Sequence, residues 1–116
     1  MEITDSLKKN YEIRRLNNKG KSAATPYVVV YVKRTGRDTN RLGVTVSNKI
    51  GKAVVRNKVR RRLREIYRLH EGEMQRGVDL VFVARGRRVD ATYAQLEQAV
   101  IKACKQLKVV KEQGET

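Results

Sequence analysis

The residue types that carry covalent chemistry are few and scattered in this chain. His70 is the only histidine and Cys104 the only cysteine. A hydrolase working by itself needs a positioned general acid and base or clustered carboxylates holding metal ions. Asp38, Asp79 and Asp90 form no spaced motif, and there is neither a phosphate-binding glycine loop nor a Cys/His zinc pattern. What is concentrated instead is the chemistry of polyanion binding. Between Lys52 and His70 stand eight cations (Lys52, Arg56, Lys58, Arg60, Arg61, Arg62, Arg64 and Arg68) against the single acid Glu65, nearly half of the formal net charge of +15. Arginine predominates, and its planar fork of donors suits bidentate contact with phosphate.

The same stretch has helical periodicity. Val55, Val59, Leu63, Ile66 and Tyr67 recur at spacings of three and four, which predicts one apolar stripe. At about 100° per residue, Asn57, Arg60, Arg61, Arg64 and Arg68 fall on the opposite side. Most Lys/Arg runs are solvated surface. Here the arginine bias and the near absence of acids favour a nucleic-acid face over that reading. His70 falls at the C-terminal end of the helix, where positive charge is favourable.

The 116 residues, 34% of them charged, predict a single RNA-binding domain over 1–116 with an ordered core at about 7–109 and frayed termini. No apolar run approaches the ~20 residues needed to span a membrane, and MEITDSLKK lacks the apolar core of a signal peptide. A cytoplasmic protein with no membrane partner and no small-molecule substrate is expected. Cys104, in the pattern Leu96, Val100, Cys104, Leu107, reads as a buried structural thiol.

The elements around the basic helix follow from local signals. Asn10 can cap a short helix over Tyr11–Asn18 that ends before Gly20, and Gly20–Pro26 reads as a loop. Tyr27–Lys33 and Arg41–Asn48 read as strands forming an antiparallel pair. Glu71–Gly77 is a loop, Val78–Arg85 a third strand. Thr92 and Gln95 have capping-box spacing and open a last helix through Val109, with Tyr93, Leu96, Val100, Ala103 and Leu107 inward. The order α-β-β-α-β-α predicts an α+β two-layer sandwich, its sheet covered by helices mainly on one face.

Side chains alternate along a strand. Val28, Val30 and Val32 therefore share a hydrocarbon face with Leu42, Val44 and Val46. The other face carries Tyr27, Val29, Tyr31 and Lys33 beside Arg41, Gly43, Thr45, Ser47 and Lys49. Aromatic rings, hydroxyls and cations together suit unpaired nucleotides. An ordinary half-solvated sheet face under the first helix accounts for the pattern equally well.

The run from Arg41 to Glu65, RLGVTVSNKIGKAVVRNKVRRRLRE, resembles the signature of the bacterial ribonuclease P protein subunit, a strand R-x-G-x-x-V-S-x-K followed by G-x-A-V-x-R-N-x-x-K/R-R. The Y-V-V-V-Y and G-V-D-L-V-F-V-A-R strands and the flanking helices agree, so that the resemblance covers roughly Leu7 to Leu107. It implies a left-handed β-α-β crossover around the basic helix, where general handedness rules give a right-handed one. It also implies a catalytic RNA partner that performs the hydrolysis with Mg²⁺, no cofactor or metal in the protein, and precursor transfer RNA as substrate. RNA-subunit contacts would fall on Arg56, Asn57, Lys58, Arg60, Arg61 and Arg64, to which the periodicity adds Arg68. Contacts with the 5′ leader would fall on Ile13, Arg15, Tyr31, Ser47 and Lys49, to which the mixed sheet face adds Tyr27 and Lys33. Ile13 and Asn17 stand where the family habitually has aromatics, and Asn48-Lys49 where it has paired lysines, which shifts stacking toward Tyr31. The alternative is a non-catalytic, ribosome-associated or general RNA-binding protein of similar fold. The R-N-x-x-R-R spacing after G-K-A-V separates the two.

Overall fold

The computed structural model describes residues 4–6, 21–36, 38–46, 50–85 and 92–110. Five strands form one sheet: β1 (Thr4–Ser6), β2 (Lys21–Ala24), β3 (Val28–Arg34), β4 (Asn40–Val46) and β5 (Val78–Ala84), in the order β1-β4-β5-β3-β2. Two α-helices, α1 (Ala53–His70) and α2 (Tyr93–Gln106), complete the described fold. The α+β sandwich expected from the pattern is observed. The helix expected over Tyr11–Asn18 lies outside the described residues.

The strand pairing corrects one expectation. β3 and β4 run antiparallel but do not pair, because β5 lies between them, antiparallel to β3 and parallel to β4. The physical reason is in β5 itself. Every residue of VDLVFVA except Val83 is buried, and a strand apolar on both faces needs neighbours at both edges and cover on both sides. β3 and β4, which carry half-exposed polar and charged side chains (Tyr31 and Lys33 on one, Arg41 and Thr45 on the other), suit the flanks. β4, α1 and β5 thus make a parallel β-α-β unit.

Residues 20–26 are not all loop either. Lys21–Ala24 pairs with Val29–Val32 as an edge strand. KSAA has no β-branched residue to announce it, and only the partner strand imposes the conformation. The short β1 pairs in parallel with the start of β4 at the other edge.

The core lies between the helices and one sheet face. Val28, Val30, Leu80, Phe82, Leu63, Ile66, Tyr67 and Val100 are fully buried there, and Val44, Val55 and Val59 pack against them half-exposed. α2 begins with the capping box expected: the Gln95 amide N–H donates to Thr92 Oγ1 at 3.1 Å and the Thr92 amide N–H to Gln95 Oε1 at 2.9 Å. It ends earlier than the expected Val109. Lys108 adopts a left-handed φ of +59°, and the N–H groups of Lys108 and Val109 return to the carbonyls of Lys105 and Cys104 at 3.0 and 2.9 Å. This closure satisfies the terminal carbonyls and buries Val109 completely. Burial pushes the Cys104 thiol up to about 12, as suits a structural cysteine.

Candidate nucleic-acid interface

α1 is fixed by its apolar side. Leu63, Ile66 and Tyr67 are buried, and the helix packs over β4. A buried polar hub sets its position. Asn40, fully enclosed, donates from its amide to the Tyr67 hydroxyl at 3.1 Å and to the Gln75 carbonyl at 2.9 Å, and accepts from the Val78 N–H at 3.1 Å. One side chain thus ties α1 to the starts of the parallel strands β4 and β5, with its donors and acceptor satisfied. Composition gave no sign of this hub, and an asparagine opening a strand is its only trace in the sequence. At the other end Gly51, with φ of +149°, turns the chain into α1 in a conformation that side chains disfavour.

With that side sealed, the outer side of α1 presents Asn57, Lys58, Arg61, Arg64 and Arg68 to solvent. Arg56 and Arg60 are half-buried on one flank, and Arg60 Nη1 donates to Asn57 Oδ1 at 2.9 Å, so the two present a fixed pair. Arg68 has only a loose, exposed contact with Glu65 at 3.6 Å, worth little in water. The first turn carries no acid and Lys52 makes no side-chain cap. The positive end of the helix dipole therefore adds to the cations instead of being offset. Val54, 80% exposed, sits among them, an apolar contact the charge pattern did not single out.

The second sheet face is built by register. Tyr31, Val81 and Gly43 form one cross-strand row, and Lys33, Asp79 and Arg41 the next. Val81 is buried between half-buried Tyr31 and Val83, while Gly43 contributes no side chain. Arg41 grips Asp79 by two parallel bonds, Nε to Oδ1 at 3.0 Å and Nη2 to Oδ2 at 2.6 Å. This bidentate pair compensates the buried carboxylate. Asp79 was legible only as an isolated acid, because its partner lies 38 residues away in sequence.

Tyr27 does not join Tyr31. It precedes β3, in a turn closed by the Thr25 N–H on the Val28 carbonyl at 2.9 Å, so strand alternation does not reach it. It packs against the main core instead. Lys33 stays half-exposed on the Tyr31 face. Ile13, Arg15, Ser47 and Lys49 lie outside the described residues.

His70 bridges two carboxylates: Nδ1 to Glu73 on the following turn, and Nε2 to Glu97 of α2 at 3.0 Å. Hydrogen bonds first to Glu97 and then to Glu73 raise its pKa above the usual value. The imidazole thus clamps the end of α1 to α2. Among the described residues no cluster of three or more His, Cys, Asp or Glu could hold a metal ion, and no helix is long and apolar enough to cross a membrane.

A sheet covered on one face by helices, one of them densely cationic, with Tyr31 and Lys33 half-exposed on the other face, has the surfaces of an RNA-binding subunit. The particular family follows from comparison with known proteins. The Ribonuclease P family matches residues 1–108. The ribonuclease P protein component of Alkaliphilus oremlandii is 38% identical over 110 residues, covering 95% of this chain and 96% of the relative. That of Clostridium botulinum is 45% identical over 102 residues, covering 87% and 92%. Among solved structures, the Staphylococcus aureus RNase P protein superposes with a TM-score of 0.83 at 34% identity, covering 91% of this chain and 97% of that one. The Thermotoga maritima RNase P protein gives 0.77 at 29%, covering 84% and 93%. The chain belongs to the ribonuclease P protein family. It is a subunit of the endoribonuclease ribonucleoprotein that matures the 5′ end of transfer RNA, in which the RNA subunit carries out hydrolysis.

Proposed function

We propose that the outer side of α1 binds the ribonuclease P RNA through Lys58, Arg61, Arg64 and Arg68, with Asn57 and the flanking Arg56 and Arg60 fixing the path of the backbone. The observation that carries this reading is the segregation within one helix: three large side chains sealed in the core, and an outer side that is cationic with a single acid, Glu65. Each phosphate neutralised releases condensed counterions, so assembly weakens steeply with salt. The 5′ leader of precursor transfer RNA lies on the opposite sheet face, where Tyr31 stacks on an unpaired base and Lys33 meets phosphate, together with Ile13, Arg15, Ser47 and Lys49 as the family signature implies. Only the precursor has a leader to occupy that face, so the protein favours substrate over product. Mg²⁺ serves the RNA subunit, the protein acts as one RNA-binding domain without a cofactor of its own, and the particle works in the cytoplasm.

The test is cleavage of labelled precursor at low salt and modest Mg²⁺ by the protein alone, a bacterial ribonuclease P RNA alone, and both together. Cutting at the leader junction that needs the RNA and is enhanced by the protein supports the assignment. A protein that neither binds that RNA nor enhances cutting would overturn it. For the sheet face, Tyr31→Ala weakens binding of long-leader precursor and leaves mature transfer RNA unchanged. Equal losses for both would make Tyr31 structural only.

A further inference from the structure

Tyr27, displaced from the sheet face, lines a cavity of about 290 Å³ between the β2–β3 turn and α2, with Thr25 and Pro26 on one wall and Gln95, Gln98 and Lys102 on the other. Ala99, small and buried, leaves the room at its floor. The walls are stiff. Thr25 Oγ1 donates to the Val28 carbonyl at 2.7 Å and accepts the Val28 N–H at 3.0 Å, and Gln95 Oε1 is held by the helix cap. The groups aimed at the space are unspent. Among the described residues the Tyr27 hydroxyl, the Gln98 amide and the Lys102 ammonium enter no hydrogen bond or ion pair. A further cation stands at the turn, where Arg85 Nη1 donates to the Thr25 carbonyl at 3.1 Å.

An aromatic ring, a carboxamide that both donates and accepts, and an ammonium one helical turn further on are the groups that recognise a nucleotide's base face, base edge and phosphate. The volume is at the small end of ligand pockets and suits one planar base rather than a paired strand. Its position indicates which RNA is near. α2 packs on β3 and β2 in the same layer as α1, on the side of the sheet away from Tyr31. A second, shallower cavity of about 520 Å³ on α2 shares Gln98 and Lys102, and reaches Lys105 and the end of α1 at His70. Lys102 and Lys105 thus stand on α2 between the end of α1 and Tyr27, beside Glu97, which His70 engages.

We propose that the Tyr27 cavity holds one unpaired base of the RNA subunit, stacked on Tyr27 and read at its edge by Gln98, with its backbone led in by Lys102 and Lys105. The choice of the RNA subunit over the precursor rests on the reading of α1 as the RNA-subunit face.

The experiment uses the reconstituted holoenzyme. A photo-crosslinker on Ala94→Cys, exposed one turn before Gln98 on α2, is compared with one on Glu65→Cys of α1; the buried Cys104 leaves the engineered thiol as the reactive one. The α2 probe crosslinks to an unpaired nucleotide of the RNA subunit. Crosslinks confined to precursor leader would overturn the assignment, and so would none from α2 while α1 gives them. In equilibrium assembly, Tyr27→Leu weakens binding about tenfold, within the range of one base–aromatic stack, with an unchanged salt slope, and Lys102→Glu weakens it with a shallower slope. Lys102 is exposed, so its substitution does not depend on refolding the core. Affinities within twofold of the parent for both variants would refute the site. Loss in these variants with none on altering Arg61 and Arg64 would sink the α1 reading while leaving the cavity standing.

Discussion

Neutralising Arg61 and Arg64 together, as Arg61→Gln and Arg64→Gln, isolates the electrostatic role of α1. Both side chains are exposed and remote from the buried stripe of Leu63, Ile66 and Tyr67, and glutamine is nearly as good a helix former as arginine. The fold should therefore persist, which circular dichroism checks. If the exposed α1 cations Lys58, Arg61, Arg64 and Arg68 each neutralise one phosphate, raising salt from about 50 to about 200 mM costs the α1 contacts roughly 50- to 150-fold in affinity, at about 0.7 to 0.9 units of logarithmic slope per phosphate. With two of them removed, the α1 share of the same salt step falls to about 7- to 12-fold. The assay is filter or fluorescence binding of the variant to the RNA subunit across a salt series. A lower affinity with an unchanged slope would mean that the two arginines shape the helix rather than meet phosphate. An unchanged affinity and slope would refute the α1 assignment altogether.

Three further outcomes test the frame that positions these surfaces. Tyr67→Phe strands one buried N–H of Asn40, so thermal or denaturant unfolding should show a loss of about 1–3 kcal/mol. No loss would mean that the hub is solvated. Lys108→Gly relieves the left-handed residue that closes α2 and should raise stability by about 1 kcal/mol, seen as a melting point higher by a few degrees; a decrease would show that the Lys108 side chain contributes more than its backbone strain costs. The His70 clamp gives a pH dependence of definite sign. Its pKa is raised in the folded state by Glu97 and Glu73, so its contribution is full below the unfolded value near 6.5 and is lost as pH rises through the higher folded value. Melting points of the parent and His70→Gln should therefore diverge most below pH 6.5 and converge at alkaline pH, and a gap that widens with pH would contradict the clamp.

What the sequence disclosed, and what it hid, divides along a physical line. Periodicities of two and three to four are local, and they located α1, α2, β3, β4 and β5 to within a few residues, the cap at Thr92 and the buried Cys104. Sheet order is not local. Nothing within β3 or β4 says that β5 will separate them; the information is in the two-sided burial of β5, which the run VDLVFVA displays. β2 was invisible for the opposite reason, since KSAA has no strand preference of its own. The same division holds in the interface. The cationic side of α1 is written in consecutive residues, whereas the Asn40–Tyr67 hub and the Arg41–Asp79 pair join groups 27 and 38 positions apart. Tyr27 shows the limit of alternation: counted from the strand it belongs with Tyr31, yet a tight turn one residue earlier places it on the other side of the sheet.

The sheet separates the two surfaces proposed to face RNA by its own thickness, and on that reading the separation explains how a binding subunit can serve an endonuclease. α1 and α2 occupy one layer and, on the proposed reading, hold the catalytic RNA; the Tyr31 row occupies the other and holds the leader. β5 lies between, giving Leu80 and Phe82 to one side and Val81 to the other. On the proposed reading the leader contacts are made away from the reacting phosphate, and contacts of that kind are as strong in bound substrate as in the transition state. Interactions of that kind raise affinity for the precursor without accelerating the bond-breaking step. On this reading the protein's effect belongs in substrate binding and in discrimination against mature transfer RNA, and single-turnover cleavage at saturating precursor should proceed at the rate set by the RNA subunit.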